Sequence, residues 1–339
     1  MLVQDVLRRV MAKENLSESL MGEVMELFFS GGATDAQIGA FLGALATKGE
    51  TFEELAGAAR TMRRKARRLQ VLSPTIVDTC GTGGDGAETF NISTTSAFVV
   101  AGCGITVAKH GNRAVSSKCG SADVLEALGV NLNVDPEVVE EAVAEIGIGF
   151  LFAPLYHEAM KHVARARKEL GVRTIFNMLG PLTNPAGANC QVLGVYAPEL
   201  TEMFAEALKL LGARRAFVVH GYDGLDEISV CAPTRVTELN DGMVRTYEIY
   251  PEHYFGERAD PEELKGGDPE FNASVMRRIL EGKERGPRRN VVLINSAAAI
   301  VAAGLAGNLE EGIKLAEESI DSGKALEKLE RLVEFTSSF

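Results

Sequence analysis

The sequence predicts an α/β fold: a large domain with a mainly parallel sheet flanked by helices, plus a small all-helical domain. Three observations carry this. From about residue 75 onward, short apolar runs of strand length alternate with amphipathic helical stretches, the pattern of a parallel sheet covered by helices. Residues 1 to about 72 carry helical patterns only. At 339 residues, the chain is long enough for one large domain and a smaller one.

The helical part begins with Leu2, Val6 and Val10 at helical spacing. A second helix runs from about Glu18 to Phe29 and stops at Gly31-Gly32. Thr34-Asp35-Ala36-Gln37 and Thr51-Phe52-Glu53-Glu54 are capping boxes that start two more helices. The helix between them carries Ile38, Leu42 and Leu45 on one side and the small residues Ala36, Gly39, Ala40, Gly43 and Ala44 on another. That small-residue face suits either tight packing inside the domain or a subunit contact. The basic run from Arg60 to Arg68 reads as a solvated helix end favoured by the helix dipole, or as a nucleic-acid patch.

In the α/β part, a strand at Thr75–Val77 is expected to end in Asp78-Thr79 and a glycine loop. Ser93-Thr94 should cap the helix that follows, and a second strand is expected over Ile105–Ala108. Asp123 to Leu128 reads as a short helix, and Asp135 with Pro136 starts a longer one ending at Ile146. A strand over 147–152 should stop at Pro154, with a helix from about Glu158 to Leu170 closed by Gly171. Gln191–Tyr196 is a strand, Glu199–Leu211 a helix and Arg215–Val219 a strand. Asn240-Asp241-Gly242 between two alternating runs, Thr234–Leu239 and Met243–Tyr250, signals a hairpin. The rest returns to helices at Ala273–Leu280 and Asn290–Ala303, with two more from Leu309 and Lys324.

The stretch from Ile76 to Ser121 holds the chemistry. Gly81, Gly83, Gly84 and Gly86 fall within six residues after a strand and before a helix start. Glycines let backbone N–H groups crowd round a ligand, and the helix start adds partial positive charge. A second strand opens into Lys109-His110-Gly111-Asn112-Arg113, then Ser116-Ser117-Lys118, where Lys109, Arg113 and Lys118 bring full charges. This pattern suits a highly phosphorylated ligand. The loop formally satisfies G-x-G-x-x-G, but a dinucleotide site needs an acidic residue at the end of the second strand, and here that strand ends in Lys109-His110. A glycine-rich turn with no ligand is the remaining alternative.

Asp226-Glu227 lie in a polar loop after the strand at Ala216–Val219. Adjacent carboxylates are hard oxygen ligands suited to Mg²⁺ bridging to phosphates, although such a pair is more often just solvated. His157 and His162 lie five apart, too far round a helix to share a metal, and are expected at the surface or in packing; His253 has no context. His110 lines an acceptor pocket or packs. Of Arg165, Arg167 and Lys168, spacing does not say which faces a cleft.

GTGGD at 81–85, TFNIST at 89–94 and KHGNRAVSSKCGSAD at 109–123 together resemble the anthranilate phosphoribosyltransferases, a family of tryptophan biosynthesis. Arg167 before KELG, Asn177 to Pro185 (NMLGPLTNP) and Asp226-Glu227 match as well, so the resemblance covers essentially the whole chain. It implies a nucleoside phosphorylase/phosphoribosyltransferase-like fold, with a helical domain over 1–72 completed by a segment near 156–186. An α/β domain over 73–339 would bind phosphoribosyl diphosphate, and the active site would lie in the cleft between them. It implies phosphoribosyl transfer from 5-phosphoribosyl 1-diphosphate to the amine of anthranilate, with Mg²⁺ as cofactor, in a cytoplasmic homodimer that contacts through the helical domain. Substrate-binding residues would be Gly81, Gly84, Asp85 and Thr89 in the first loop, and Asn91, Ile92, Ser93 and Thr94 at the helix start. The second loop would add Lys109, His110, Gly111, Asn112, Arg113, Ala114, Val115, Ser116 and Ser117, followed by Ser121. Ser93, Asp226 and Glu227 would hold the metal. Lys109, Asn112 and Arg167 would be catalytic, with Arg167 pairing with the acceptor carboxylate. Pyrimidine nucleoside phosphorylases share the plan, but their second loop is similar only in its Lys and serines, and Asn112-Arg113-Ala114-Val115 favours the transferase.

Composition bounds the rest. The chain is 46% hydrophobic and 24% charged, an ordinary globular mixture. A net charge of −12 disfavours general binding to nucleic acid or anionic membranes, including by a divergent nucleic-acid-binding relative of the family. Five cysteines with no C-x-x-C suggest neither a disulfide framework nor a zinc site. No leader-like segment and no run of about 18 apolar residues is seen, so a cytoplasmic location is expected.

Overall fold

The computed structural model describes residues 2–114 and 118–339. Its helices begin with α1 (Leu2–Met11), α2 (Glu18–Phe29), α3 (Asp35–Lys48) and α4 (Phe52–Lys65). Both capping boxes form: Thr34 with Gln37 starts α3 and Thr51 with Glu54 starts α4. Glu54 does more than cap. Its carboxylate is fully buried, accepts the Leu16 N–H at 2.8 Å and pairs with the buried Lys48 ammonium at 2.9 Å, which ties the α1–α2 loop to the end of α3 and the start of α4.

The α/β part follows as β1 (Ile76–Gly81), α5 (Ile92–Gly102), β2 (Thr106–Gly111), α6 (Ser121–Ala127), α7 (Pro136–Ile146), β3 (Ile148–Phe152), α8 (Ala153–Tyr156), α9 (Lys161–Leu170) and α10 (Phe176–Leu179). Then come β4 (Cys190–Gly194), α11 (Leu200–Leu210), β5 (Arg215–Gly221), β6 (Thr234–Asn240), β7 (Met243–Ile249) and α12 (Glu252–Phe255). The chain closes with α13 (Pro269–Leu280), α14 (Pro287–Ala303), α15 (Leu309–Asp321) and α16 (Lys324–Ser337). The strands form one seven-stranded sheet in the order β3-β2-β1-β4-β5-β6-β7. Pairing is parallel from β3 across to β5 and antiparallel for β6 and β7. The β6–β7 hairpin turns on Asp241 and Gly242, both at positive φ, as its Asn-Asp-Gly signal demands.

Strand alternation sends Val77, Val107, Val192, Phe217 and Val219 to a core shared with α5 and α14. Cys80, Leu193, Val195, Ala216 and Val218 face the other way, into a core continuous with α1–α4, α9 and α11. The helical bundle therefore rests on one face of the sheet through α11.

Several expected elements shift. The first strand runs on through Asp78 and Thr79 to Gly81, because β4 pairs with it from Val77 to Gly81 and its polar residues are buried. The second strand likewise carries Lys109, His110 and Gly111 within it. Helix α5 starts at Ile92 with Asn91 at the N-cap, so Ser93 and Thr94 lie inside the first turn rather than capping it. Pro154 does not end the chain's regular structure after β3; it sits in the first turn of α8. The helix expected from Glu158 begins as a short 3₁₀ turn and becomes α-helical at Lys161.

The basic run is mostly exposed, as a solvated helix end would be, but two of its arginines also hold the bundle to the sheet. Arg63 donates to the carbonyls of Leu182 at 2.6 Å and Leu211 at 3.4 Å, and Arg60 donates to Leu210 O at 2.5 Å while pairing with Glu18. Arg64 and Lys65 meet Glu26, and Arg67 meets Glu137. The last carbonyls of a helix lack intrahelical partners and carry its negative dipole end. The arginines of α4 satisfy those of α11 and so fix the bundle to the sheet.

Candidate active site

In an open α/β sheet, ligands bind beyond the carboxyl ends of the strands where the strand order reverses. Here that point lies between β1 and β4, since the chain proceeds outward through β2 and β3 on one side and β4 and β5 on the other. Gly81 and Gly194, paired in register, end those two strands. Their lack of side chains is required. A Cβ on Gly81 would collide with the Asp226 carboxylate, and one on Gly194 with the Asp226 backbone. The loop after β5 therefore lies directly on the switch point.

That loop brings Asp226 and Glu227 to the glycine loop and to the start of α5. Asp226 Oδ2 accepts the Gly83 N–H at 2.8 Å, and Glu227 Oε1 accepts the Ser93 N–H at 3.0 Å. A carboxylate 134 residues away thus takes the place of a side-chain N-cap for α5. Burial, the nearby Asp85 charge and Glu227 together hold the Asp226 carboxyl well above its usual range. Burial lifts Glu227 to about 8, against the pull of Lys109 and the Ser93 N–H.

Beneath them, Lys109 is almost wholly buried. Its ammonium donates to Thr79 O and reaches Ser93 Oγ at 3.4 Å. Asp78, fully buried on β1, accepts from Asn184 Nδ2 at 2.8 Å and from His110 N–H at 3.2 Å. Burial raises it to about 6 despite Lys109. Sequence spacing marks neither Asp78 nor Asn184, which meet across 106 residues.

The remaining predicted residues fall on the first loop, the start of α5, the second loop and α9. Gly84, Asp85 and Thr89 lie on the first loop, where Asp85 Oδ1 accepts the Ala87 N–H at 3.2 Å and Thr89 bridges to Lys265. Asn91 spends its side chain on Cys119 O and on Asn272 Nδ2, at 3.3 and 3.0 Å, while Ile92 and Thr94 are buried. On the second loop, Asn112 accepts the Arg113 N–H at 2.8 Å and its carbonyl accepts from Ser121 Oγ at 3.3 Å. Gly111 ends β2 beside Ser121. Arg113 is held by Asp123 at 3.0 Å and Glu126 at 2.8 Å, and the Ala114 N–H goes to Asp123 at 2.9 Å. Asp123 is thus the organiser of that loop. Val115, Ser116 and Ser117 lie outside the described residues. Arg167, half-buried on α9, places its guanidinium 5.1 Å above the Phe176 ring.

His157, expected at the surface or in packing, belongs to the site's floor. Its Nε2 lies 3.2 Å from His110 Nε2, and His110 Nδ1 lies 3.2 Å from Gly180 O. A carbonyl only accepts, so His110 carries its proton on Nδ1 and its Nε2 accepts from His157 Nε2–H. His157 Nδ1 is buried with no partner of normal hydrogen-bond geometry among the described residues, although the Thr183 backbone lies near enough to oppose the effect of burial on the ring. Burial, aided by the neighbouring ring, pushes His110 down to about 3, and burial pushes His157 down to about 4. No five-residue spacing could reveal this pair, because its partner comes from another strand.

Comparison with known proteins agrees with this arrangement. The chain matches a glycosyl transferase family helical bundle domain over residues 4–66 and a glycosyl transferase family a/b domain over residues 73–326. Fold and site thus define a glycosyltransferase built from a helical bundle and an α/β sheet. An anthranilate phosphoribosyltransferase of Syntrophobacter fumaroxidans is 70% identical over 336 residues, covering 99% of each chain. The crystal structure of the anthranilate phosphoribosyltransferase from Thermus thermophilus superposes with a TM-score of 0.93 at 48% identity, covering 98% of this chain and 99% of that one. The Saccharomyces cerevisiae enzyme in complex with PRPP and Mg matches with a TM-score of 0.90 at 31% identity, over 99% and 98% of the two chains. The chain belongs to the anthranilate phosphoribosyltransferase family.

The histidine pair predicts an acid-sensitive fold. An unfolded imidazole takes up a proton near pH 6.5, whereas these two do so only near 3 to 4. The unfolded state binds more protons in between, so stability is intact above pH 6.5 and is lost as pH falls toward 4. Asp78, raised to about 6, acts in the opposite sense, and comparing two variants cancels it. His157→Phe should flatten the slope of unfolding free energy between pH 6.5 and 4.5 by about 1 kcal/mol per pH unit, read from urea melts. Parallel slopes for both proteins would refute the neutral pair.

Proposed function

We infer that this chain transfers the phosphoribosyl group of 5-phosphoribosyl 1-diphosphate to the amine of anthranilate, releasing diphosphate, in tryptophan biosynthesis. The observation that carries the mechanism is the seating of Asp226 and Glu227 against the glycine loop and the start of α5. Their chemistry fits Mg²⁺. A buried and a half-buried carboxylate, both held toward their protonated forms, are a site short of positive charge, and both offer hard oxygen donors. Among the described residues no three His, Cys, Asp or Glu side chains are grouped to cage a metal by themselves. Mg²⁺ usually takes one or two carboxylates and completes its shell with phosphate oxygens and water. Asp226 and Glu227, with Ser93 as a further ligand, would hold it, and it would offset the charge growing on the departing diphosphate.

The chain's own residues do the rest. Gly81, Gly84 and Asp85 shape the diphosphate cradle, and Lys109 stands behind it with its charge fixed by Thr79 and Ser93. On the second loop, Gly111, Arg113, Ala114 and Ser121 would contact the phosphoribosyl donor. The ring left by diphosphate is oxocarbenium-like, so fixed dipoles and charges aimed at the leaving group lower the barrier. The aromatic amine is neutral and nucleophilic as it stands. A strong base is therefore unnecessary, in keeping with a His110 whose ring nitrogens are both committed. Asn112 would orient the amine, and Arg167 would take the acceptor carboxylate in a planar two-point contact that Lys cannot reproduce. Catalysis is positioning and electrostatics.

Residues 1–72 would form the helical domain, completed by a segment near 156–186, beside an α/β domain over 73–339. In support, Val163, Ala166, Ile175 and Phe176 share one hydrophobic cluster with α1–α4. The protein would be a cytoplasmic homodimer. No helix among the described residues is long and apolar enough to cross a membrane. Ala36 and Ala40 on α3 are exposed, and a Cβ on Gly43 would meet nothing within 4 Å, which leaves a smooth face for a second copy.

Anthranilate fluorescence should disappear on mixing protein, phosphoribosyl diphosphate and Mg²⁺. Arg167→Lys should raise the KM for anthranilate by about tenfold, some 1.4 kcal/mol, with little change for phosphoribosyl diphosphate. Cleavage of thymidine or uridine by phosphate with no turnover of anthranilate would assign the phosphorylase reaction instead. Asp226→Ala should lose roughly 100-fold or more in kcat/KM at limiting Mg²⁺ and recover in part at excess Mg²⁺, with the native fold retained by circular dichroism. Normal turnover at limiting Mg²⁺ would remove Asp226 from metal binding. Light scattering at micromolar protein should give the mass of a dimer; a monomer mass would overturn that assignment.

A further inference from the structure

Arg173 has no part in the mechanism above, yet it is tied to the glycine loop. It follows the α9 C-cap Gly171, and its base is anchored by Thr174, whose N–H donates to Asn177 Oδ1 at 3.0 Å and whose side chain is buried. The guanidinium lies 4.4 Å over the Tyr196 ring just beyond β4, and its Nη2 donates to Gly84 O. A Cβ on Gly84 would come within 2.7 Å of that Nη2. Tyr196 is itself bound to the loop, since its N–H donates to Thr82 Oγ1 at 3.2 Å, and the Thr82 N–H donates to Gly194 O at 2.9 Å. The contacts close a ring: Tyr196 to Thr82, Thr82 through the loop to Gly84, Gly84 to Arg173, Arg173 back to Tyr196.

We propose that Arg173 and Tyr196 form a strut that positions the glycine loop for the diphosphate of the donor substrate. Gly83, Gly84 and Gly86 all sit at positive φ, so this backbone has little intrinsic preference and a large conformational entropy to lose. Asp226 draws the Gly83 N–H to one side and Arg173 draws the Gly84 carbonyl to the other. Pulled both ways, the loop holds its carbonyl away from the cradle, where it would repel phosphate oxygens. The ordering cost is then met before the ligand arrives, which strengthens donor binding without adding a contact to it. Arg is suited to the task because its flat guanidinium stacks on the ring while an edge N–H donates in plane. Arg173 also lies six residues beyond Arg167, so one short segment would serve both substrates from opposite ends.

The inference rests on the glycine loop being the diphosphate cradle, and the test separates the two ideas. Steady-state kinetics with both substrates varied should give Arg173→Gln a KM for phosphoribosyl diphosphate raised about tenfold, with that for anthranilate within about twofold. Tyr196→Leu, which removes the stacking ring, should follow it, whereas Tyr196→Phe, which keeps the ring, should restore the parent value. A simple packing defect would instead move both KM values or the melting temperature, and would not distinguish Phe from Leu in this way. Asp85→Asn on the loop itself serves as the reference. If it raises the donor KM and Arg173→Gln does not, the loop binds diphosphate and the strut is overturned. If neither variant moves the donor KM, the cradle assignment fails and the strut with it.

Discussion

The site depends on the burial of the Lys109 ammonium among carboxylates. A charge out of water is costly unless it is paired and its hydrogen bonds are met. Lys109 is 4% exposed, and its neighbours supply what water would: Thr79 O and Ser93 Oγ as acceptors, with Asp78 and Glu227 close enough to feel its charge. Thr79 belongs to β1, Ser93 to the first turn of α5 and Glu227 to the loop after β5. One cation thus draws a strand, a helix start and a distant loop onto the same point. Its attraction does not satisfy all the carboxylates, for Asp78, Asp226 and Glu227 all stay above their ordinary range. That residual shortage of positive charge is what makes a divalent cation welcome there.

The same point fixes the backbone. The Asp226 loop approaches so closely that neither Gly81 nor Gly194 could carry a side chain, and the two face each other across the register of β1 and β4. Any shift of β4 against β1 would move Gly194 from under the Asp226 carbonyl. Sheet register and site geometry are therefore a single constraint. Asp123 does a comparable job for the second loop, taking the N–H groups of Ala114 and Gly120 at 2.9 and 2.8 Å.

Contiguous motifs were legible in the sequence, and contacts between distant segments were not. Gly81 to Asp85, Lys109 to Arg113 and Asp226-Glu227 stand out because glycines, basic residues and paired acids cluster within a few positions. The capping boxes at Thr34 and Thr51 and the Asn-Asp-Gly hairpin were readable for the same reason, since their chemistry is complete within four residues. Ser93 reads as a cap because propensity favours Ser there, whereas α5 starts earlier and the N–H of Ser93 itself is taken by Glu227 from far along the chain. That Arg60 and Arg63 also bind the carbonyls of Leu182, Leu210 and Leu211 was not legible, because those carbonyls leave no mark in composition. His157 and Arg173 were missed likewise: each acts on a partner from another segment, one on His110 and the other on Gly84.

The electrostatics also resolve an apparent conflict between a chain of net charge −12 and the anionic substrates proposed for it. Attraction over the whole surface is screened within about 8–10 Å at physiological ionic strength, so only local charge matters to a ligand inside a cleft. On the proposed reading each substrate would meet its own counter-charge. The diphosphate would face the cation held by Asp226 and Glu227, backed by Lys109. His110 and His157, neutral by burial, would bring no charge to the amine. Arg167, half-buried over Phe176 where desolvation disfavours its charge, would take the acceptor carboxylate. Two anionic substrates can enter one narrow space only if each is met in this way.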